Sequence, residues 1–313
     1  MRNDSGVRSL HQVEWAAPRH QAIAAAAWDL LAESSKQKIT KILAGSSLVQ
    51  ISTWADEIKR GHPQDPESVK FQADPRNKGN AAWHFVDLPL GCSSYGAPES
   101  IAFTRPDDIV HILRESIQAA KDGTGSRFSP LNALRLIVHL AGDIHQPLHV
   151  ACGYLRPTAN TFEIVASPKE AQADKLNSDH GGNLLILPNH LNLHEYWDGH
   201  LGDDKLSNET KERLSAATAA TRPSSVDVSD LDSWPSDWAT LSLVAARTAY
   251  EPLKVSPLTQ GTRSVGSSDS TKGIKVEWTN GEESYKAQCL PIVRERLATA
   301  GKNLATLLGT IYP

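Results

Sequence analysis

Residues 139–149 read His-Leu-Ala-Gly-Asp-Ile-His-Gln-Pro-Leu-His. His139 and Asp143 stand four apart in a segment of helical apolar spacing, so both project from one helix face and can reach one metal ion. Pro147 breaks that helix, and the turn it makes can swing His149 back toward the same pocket. A second cluster, Asn192-Leu-His-Glu-Tyr-Trp-Asp198, repeats the spacing with His194 and Asp198, behind Asn192 as N-cap. Two pairs and a third imidazole supply nitrogen and oxygen donors of the kind that Zn²⁺ accepts. A single pair of this spacing is ordinarily hydrogen-bonded or solvated. Two on apolar helices would bury charges that need partners. From spacing alone, metal binding and a purely structural pairing both stand open.

Three shorter pieces join them. Trp15-Ala-Ala-Pro-Arg-His20 puts an imidazole at the start of a helix. Trp54-Ala-Asp56-Glu-Ile-Lys59 puts a carboxylate and an ammonium on one helical face. Trp83-His84-Phe85-Val86-Asp87 precedes a Leu-Pro-Leu-Gly turn. Singly, each has a structural reading: a helix-start His, a surface ion pair, a half-buried aromatic stretch.

The elements that must position these residues read as helices almost throughout. Residues 18–34 are Ala-rich behind Pro18; Ser129 and Pro130 open a helix running to His145; residues of the last 28 recur at steps of three or four. Residues 61–80 and 256–273, rich in Pro, Gly and Ser, read as loops. Leu-Leu-Ile-Leu-Pro at 184–188 reads as a strand or hairpin arm. With 313 residues, 40% hydrophobic and 22% charged, the chain is of ordinary globular composition. A net charge of −4 argues against a protein that coats nucleic acid with basic surface, but not against an enzyme whose positive field comes from metal ions. No apolar run is long enough for a membrane span, and the N-terminus lacks the apolar stretch of a secretory signal. Cys92, Cys152 and Cys289 form no CxxC pair and allow one disulfide or none.

In this order, the motifs His139–His149, Asp-His-Gly-Gly-Asn at 179–183 and Asn192–Asp198, supported by the pieces around Asp56 and His84, resemble the zinc-dependent single-strand nucleases of fungi and plants. These type I nucleases are also 3′-nucleotidases and are related to the zinc phospholipases C. The resemblance spans Trp15 to the C-terminal helix. It implies an all-α, mainly helical single domain over residues 15–313, with long loops and at most a short β-hairpin, behind an extension of residues 1–14. It also implies three Zn²⁺ ions. Asp56, His84, His139 and Asp143 would hold the first, with Asp143 bridging to the third. His149, His194 and Asp198 would hold the second. His20, Asp143 and the free amino group and carbonyl of Trp15 would hold the third, which depends on Trp15 being the mature N-terminus. The glycines of the family around that Trp are replaced here by Ala16 and Arg19. Lys59 matches a residue that stabilises the transition state, so Lys59, Asp56 and Asp143 carry the catalytic expectation. Phe85, Asp87 and Asn183 match substrate contacts, Phe85 and Asp87 with a nucleobase. The implied activity is hydrolysis of single-stranded DNA or RNA to 5′-phosphate products, in a monomeric, secreted or periplasmic enzyme without a membrane span.

Three rivals stand beside it. A zinc phospholipase C shares fold and metals but closes the second cluster with Glu where Asp198 stands. A helical nucleotide phosphohydrolase needs adjacent His-Asp ligands, and no His here precedes Asp. A non-catalytic helical protein with structural zinc would more often use Cys ligands.

Overall fold

The computed structural model describes residues 17–63, 65–123, 126–202, 207–225, 227–257 and 273–313. Trp15, the extension 1–14 and most of the expected loop 256–273 lie outside the described residues. The chain runs through α1 (Ala17–Leu30), α2 (Glu33–Leu43), α3 (Leu48–Ile51), α4 (Trp54–Lys59), α5 (Pro66–Ala73), α6 (Ile109–Asp122), α7 (Pro130–Asp143) and α8 (Pro168–Ala173). It continues through α9 (Leu193–Glu195), α10 (Asn208–Ala220), α11 (Trp234–Tyr250) and α12 (Glu282–Ile311). The expected mainly helical class holds, with 58% helix and small sheets.

At the centre lies α7. Ser129 caps it by accepting from the Asn132 amide, Pro130 takes the first turn, and every residue from Asn132 to Asp143 is buried. The helix is buried on all sides because other elements cover all sides, and its polar residues Arg135, His139 and Asp143 are paired within the fold. It packs against α6, α1, α4 and α12. α1, α10 and α12 pack on one another around it.

The stretch 61–80 is not loop throughout, because α5 forms within it. Asp65 accepts from the Ser68 amide at 3.0 Å and Pro66 follows, a start signal outweighed in the sequence by the surrounding Pro and Gly. Arg135 of α7 grips Asp65 at 2.5 Å, and the Trp54 indole donates to Ser68 Oγ at 2.8 Å. Phe71 then meets Trp54 and Trp83 edge-on, which braces the segments carrying Asp56 and His84.

Strands are short but exceed one hairpin. β1 (Leu88–Pro89) pairs in parallel with β2 (Ala151–Cys152). β3 (Tyr154–Pro157) lies between β4 (Phe162–Val165) and β5 (Asn177–Ser178). β6 (Leu185–Ile186) joins β8 (Ile274–Trp278), which pairs with β7 (Leu253–Val255). Periodicity cannot reveal strands of two residues. All three cysteines are buried and free. No helix among the described residues is long and apolar enough to cross a membrane.

Replacing Ser129 by Ala removes the cap of the central helix and is expected to destabilise the protein by about 1 kcal/mol, read as a lower urea midpoint at unchanged slope. An unchanged midpoint contradicts the role given to the cap.

Candidate metal centre

Asp143 ends α7 with its carboxylate fully buried, and imidazoles surround it. Its Oδ2 lies 3.0 Å from His139 Nε2 and 2.9 Å from His84 Nδ1; its Oδ1 lies 3.1 Å from His20 Nε2. Asp56, on α4, approaches His139 Nε2 at 3.5 Å and His84 Nδ1 at 3.9 Å. The second pair meets His149: His194 Nε2 is 3.3 Å and His149 Nε2 is 3.8 Å from Asp198. Among the described residues three groups of donors result, each with its atoms within 4.8 Å of one another: His20, His139 and Asp143; Asp56, His84 and His139; His149, His194 and Asp198.

The backbone decides which ring nitrogens face inward. Nδ1–H of His139 donates to Ser52 O at 2.7 Å, that of His149 to His84 O at 2.9 Å, and that of His194 to Gly181 O at 2.8 Å. Each leaves an Nε2 lone pair for the centre, the outer arrangement that metal-binding imidazoles use. Val86 N donates to His149 O at 2.8 Å, so the segments carrying His84 and His149 hold each other.

Local sequence explains the rest. His20 stacks on His139 with centroids 4.1 Å apart, and a Cβ on Gly142 would lie 2.6 Å from His20 Nδ1, so that position tolerates only glycine. The Asp179–Asn183 turn passes through three residues of positive φ, His180, Gly181 and Gly182. A Cβ on Gly181 would strike Leu148 O at 2.3 Å. Asp179 braces this turn by accepting from the Gly182 amide at 2.8 Å and the Tyr250 hydroxyl at 3.0 Å; burial pushes its pKa up to about 7. Asp198 sits not on an α-helix but on a π-helical turn, Tyr196–His200.

Burial drives His20 down to about 4 and His84 to about 3, and lowers His194. These rings are neutral at pH 7, as ligands must be. Burial opposes ionisation of Asp143, yet His139 and His149 hold it well below the carboxylate range. Burial likewise opposes protonation of His149, which Asp143 and Asp198 nonetheless raise. Asp56 Oδ1, Asp143 Oδ1, His149 Nε2 and Asp198 Oδ2 are buried without a well-formed hydrogen bond. Buried carboxylates among these imidazoles fit divalent cations, with oxygen and nitrogen donors suited to zinc.

Above the groups opens a cleft lined by Lys59, Phe85, Asp87, His180 and Asn183 beside His84, His149 and His194. Burial lowers Lys59 to about 8, so it is mostly cationic at neutral pH. Asp56 is buried and Lys59 lines the cleft, which removes their reading as a surface ion pair. Asp87 accepts from Ser178 Oγ at 2.9 Å, and Asn183 donates to His180 O at 2.7 Å. Every expected site residue except Trp15 comes together here. Sequence reading left three neighbours without roles: His180 in the cleft, Asp179, and Gln146, whose Nε2 donates to Asp198 Oδ1 at 2.8 Å. All lie inside quoted motifs, but Gln146 meets Asp198 only through the tertiary fold.

The S1/P1 Nuclease family model matches residues 15–313. Nuclease S1 of Aspergillus oryzae is 25% identical over 95% of this chain and 91% of its own length. Endonuclease 2 and Endonuclease 4 of Arabidopsis thaliana are 22% and 23% identical, each over 95% of this chain and 90% and 89% of their own lengths.

Acid should act on the metal-free protein through the buried rings. His20 and His84 take protons near 6.5 when unfolded but only near 4 and 3 when folded. The unfolded state therefore binds more protons across that window, and stability is lost as pH falls through it. His149 works the other way. A melting temperature dropping between pH 6.5 and 4 is expected; a flat or rising profile contradicts the neutral burial of these rings.

Proposed function

Since this chain belongs to the S1/P1 nuclease family, we propose that it is a hydrolytic endonuclease acting on single-stranded DNA or RNA. The observation that carries this reading is the clustering of three His/Asp groups, two of them sharing His139 beside Asp143, beneath a cleft with an aromatic wall and a cation. The phospholipase C alternative is not supported.

We assign zinc to the groups, with Asp56, His84, His139 and Asp143 around one ion and His149, His194 and Asp198 around a second. His20 and Asp143, with Trp15 where it is the mature N-terminus, would hold a third. Such ions, when bound, supply water of lowered pKa and positive charge against the phosphoryl oxygens. The chain does the rest. Asp143 draws the groups together through its two oxygens. Lys59 brings a cation to the phosphate and to charge growing on the departing 3′ oxygen, so the product keeps its 5′-phosphate. Phe85 offers a ring face that only an unpaired base can meet, and Asp87, held by Ser178, accepts from the base edge. Asn183 contacts substrate from the opposite turn. Duplex bases are already stacked, hence the preference for single strands. Residues 15–313 act as one domain behind the 1–14 extension, in an exported monomer that can also take 3′-mononucleotides.

Incubating the metal-replete protein with matched single-stranded and duplex DNA should cut the former, leaving ends that need no kinase for ligation. Asp143→Asn should lose cleavage to background together with at least one bound ion; full activity in the metal-replete variant contradicts the assignment. Phe85→Ala should raise KM on single strands by roughly 5- to 150-fold, the value of one lost base stack of about 1–3 kcal/mol, with kcat much less affected. An unchanged KM removes Phe85 from the base site.

A further inference from the structure

Resting on that reading, we infer that Arg19 is a positioning residue for the group of His149, His194 and Asp198. Arg19 lies on α1 beside His20 and is 2% exposed. Its Nη1 donates to Trp197 O at 2.5 Å and its Nη2 to Leu201 O at 2.9 Å. Those two carbonyls bracket Asp198 along the chain.

The register of the π-helical turn explains why a guanidinium belongs there. In an α-helix the Leu201 amide would donate to Trp197 O. Here it reaches one residue further back, to Tyr196 O at 2.7 Å. Arg19 supplies the donor that this shift takes from Trp197 O and also reaches Leu201 O at the end of the turn. A buried carbonyl left without a donor is costly, so the wide turn is far less favourable without this fork. π-turns recur at functional sites because the extra residue re-aims a side chain. The side chain carried here is Asp198, directed at His194 Nε2 at 3.3 Å and held by Gln146 from the other side. A cation at a helix C-terminal end also faces the negative end of the peptide dipoles.

Position 19 thereby couples two groups. His20, its neighbour, reaches Asp143, while Arg19 holds the element of Asp198. A short residue at this place loses both of these carbonyl contacts.

The full-length chain tests this with Arg19→Ala and Arg19→Lys. In metal-free protein, amide hydrogen exchange across residues 196–202 should accelerate in both variants while that of α7 stays unchanged. In a Co²⁺ titration followed by visible absorption, affinity of the His149–His194–Asp198 group should fall by about 10- to 100-fold, as for other outer partners of metal ligands. Alanine should lose more than lysine, which can serve one carbonyl, and added guanidinium ion should restore part of the Arg19→Ala loss. If Arg19→Ala does not fold, Arg19→Lys carries the same readouts. Native exchange and native Co²⁺ affinity in a folded variant overturn the inference, as does a loss spread equally over all groups and untouched by guanidinium. A wild-type chain that binds no Co²⁺ refutes the proposed function instead, and the exchange measurement then decides the role of Arg19 on its own.

Discussion

One buried carboxylate sets the terms for this molecule. Asp143 is fully buried, and an isolated ionised carboxylate in such a place is prohibitively costly. Its oxygens face three imidazoles at about hydrogen-bond distance, and two of those rings are pushed toward neutrality by the same burial. Cations held between the donor groups, as proposed above, would resolve that conflict. Most of the surrounding structure can be understood as holding the donors still until they arrive.

The scaffold does this by enclosing the helix that carries His139 and Asp143. α7 is covered on every side, and its end is tied down after Asp143. His145 turns back to donate to Ala141 O at 2.7 Å, accepts from Asn303 of α12 at 2.8 Å, and has its carbonyl held by Arg296 at 3.2 Å. Burial drives the His145 pKa well down, so this ring is a neutral tie rather than a ligand. The His-Gln-Pro run is thus divided by role: His145 anchors, Gln146 steadies Asp198, and Pro147 turns the chain so that His149 faces the cleft. On the opposite wall, the two glycines after His180 allow the left-handed turn that lends Gly181 O to His194.

Spacing made part of this legible. The i,i+4 relation of His139 to Asp143, the Ser129 and Asn192 caps and the Pro147 break are local signals, and local signals survive into the fold. Family resemblance supplied Asp56, His84 and His20, which no periodicity links because they lie on separate elements and meet only around Asp143. The His194–Asp198 pair was legible as a pair but not as a π-turn, since the shifted hydrogen bond depends on a guanidinium nearly 180 residues away. α5 was hidden by neighbouring Pro and Gly although Asp65-Pro66 is a proper start. The two-residue strands leave no periodic trace at all.

The central claim is that distant donors gather cations around Asp143. Anomalous diffraction from crystals grown with Zn²⁺ tests it most directly. Peaks about 2.0–2.2 Å from His84, His139 and Asp143, and from His149, His194 and Asp198, are the predicted result. Zinc absent from both places, or bound only at surface carboxylates, would contradict it.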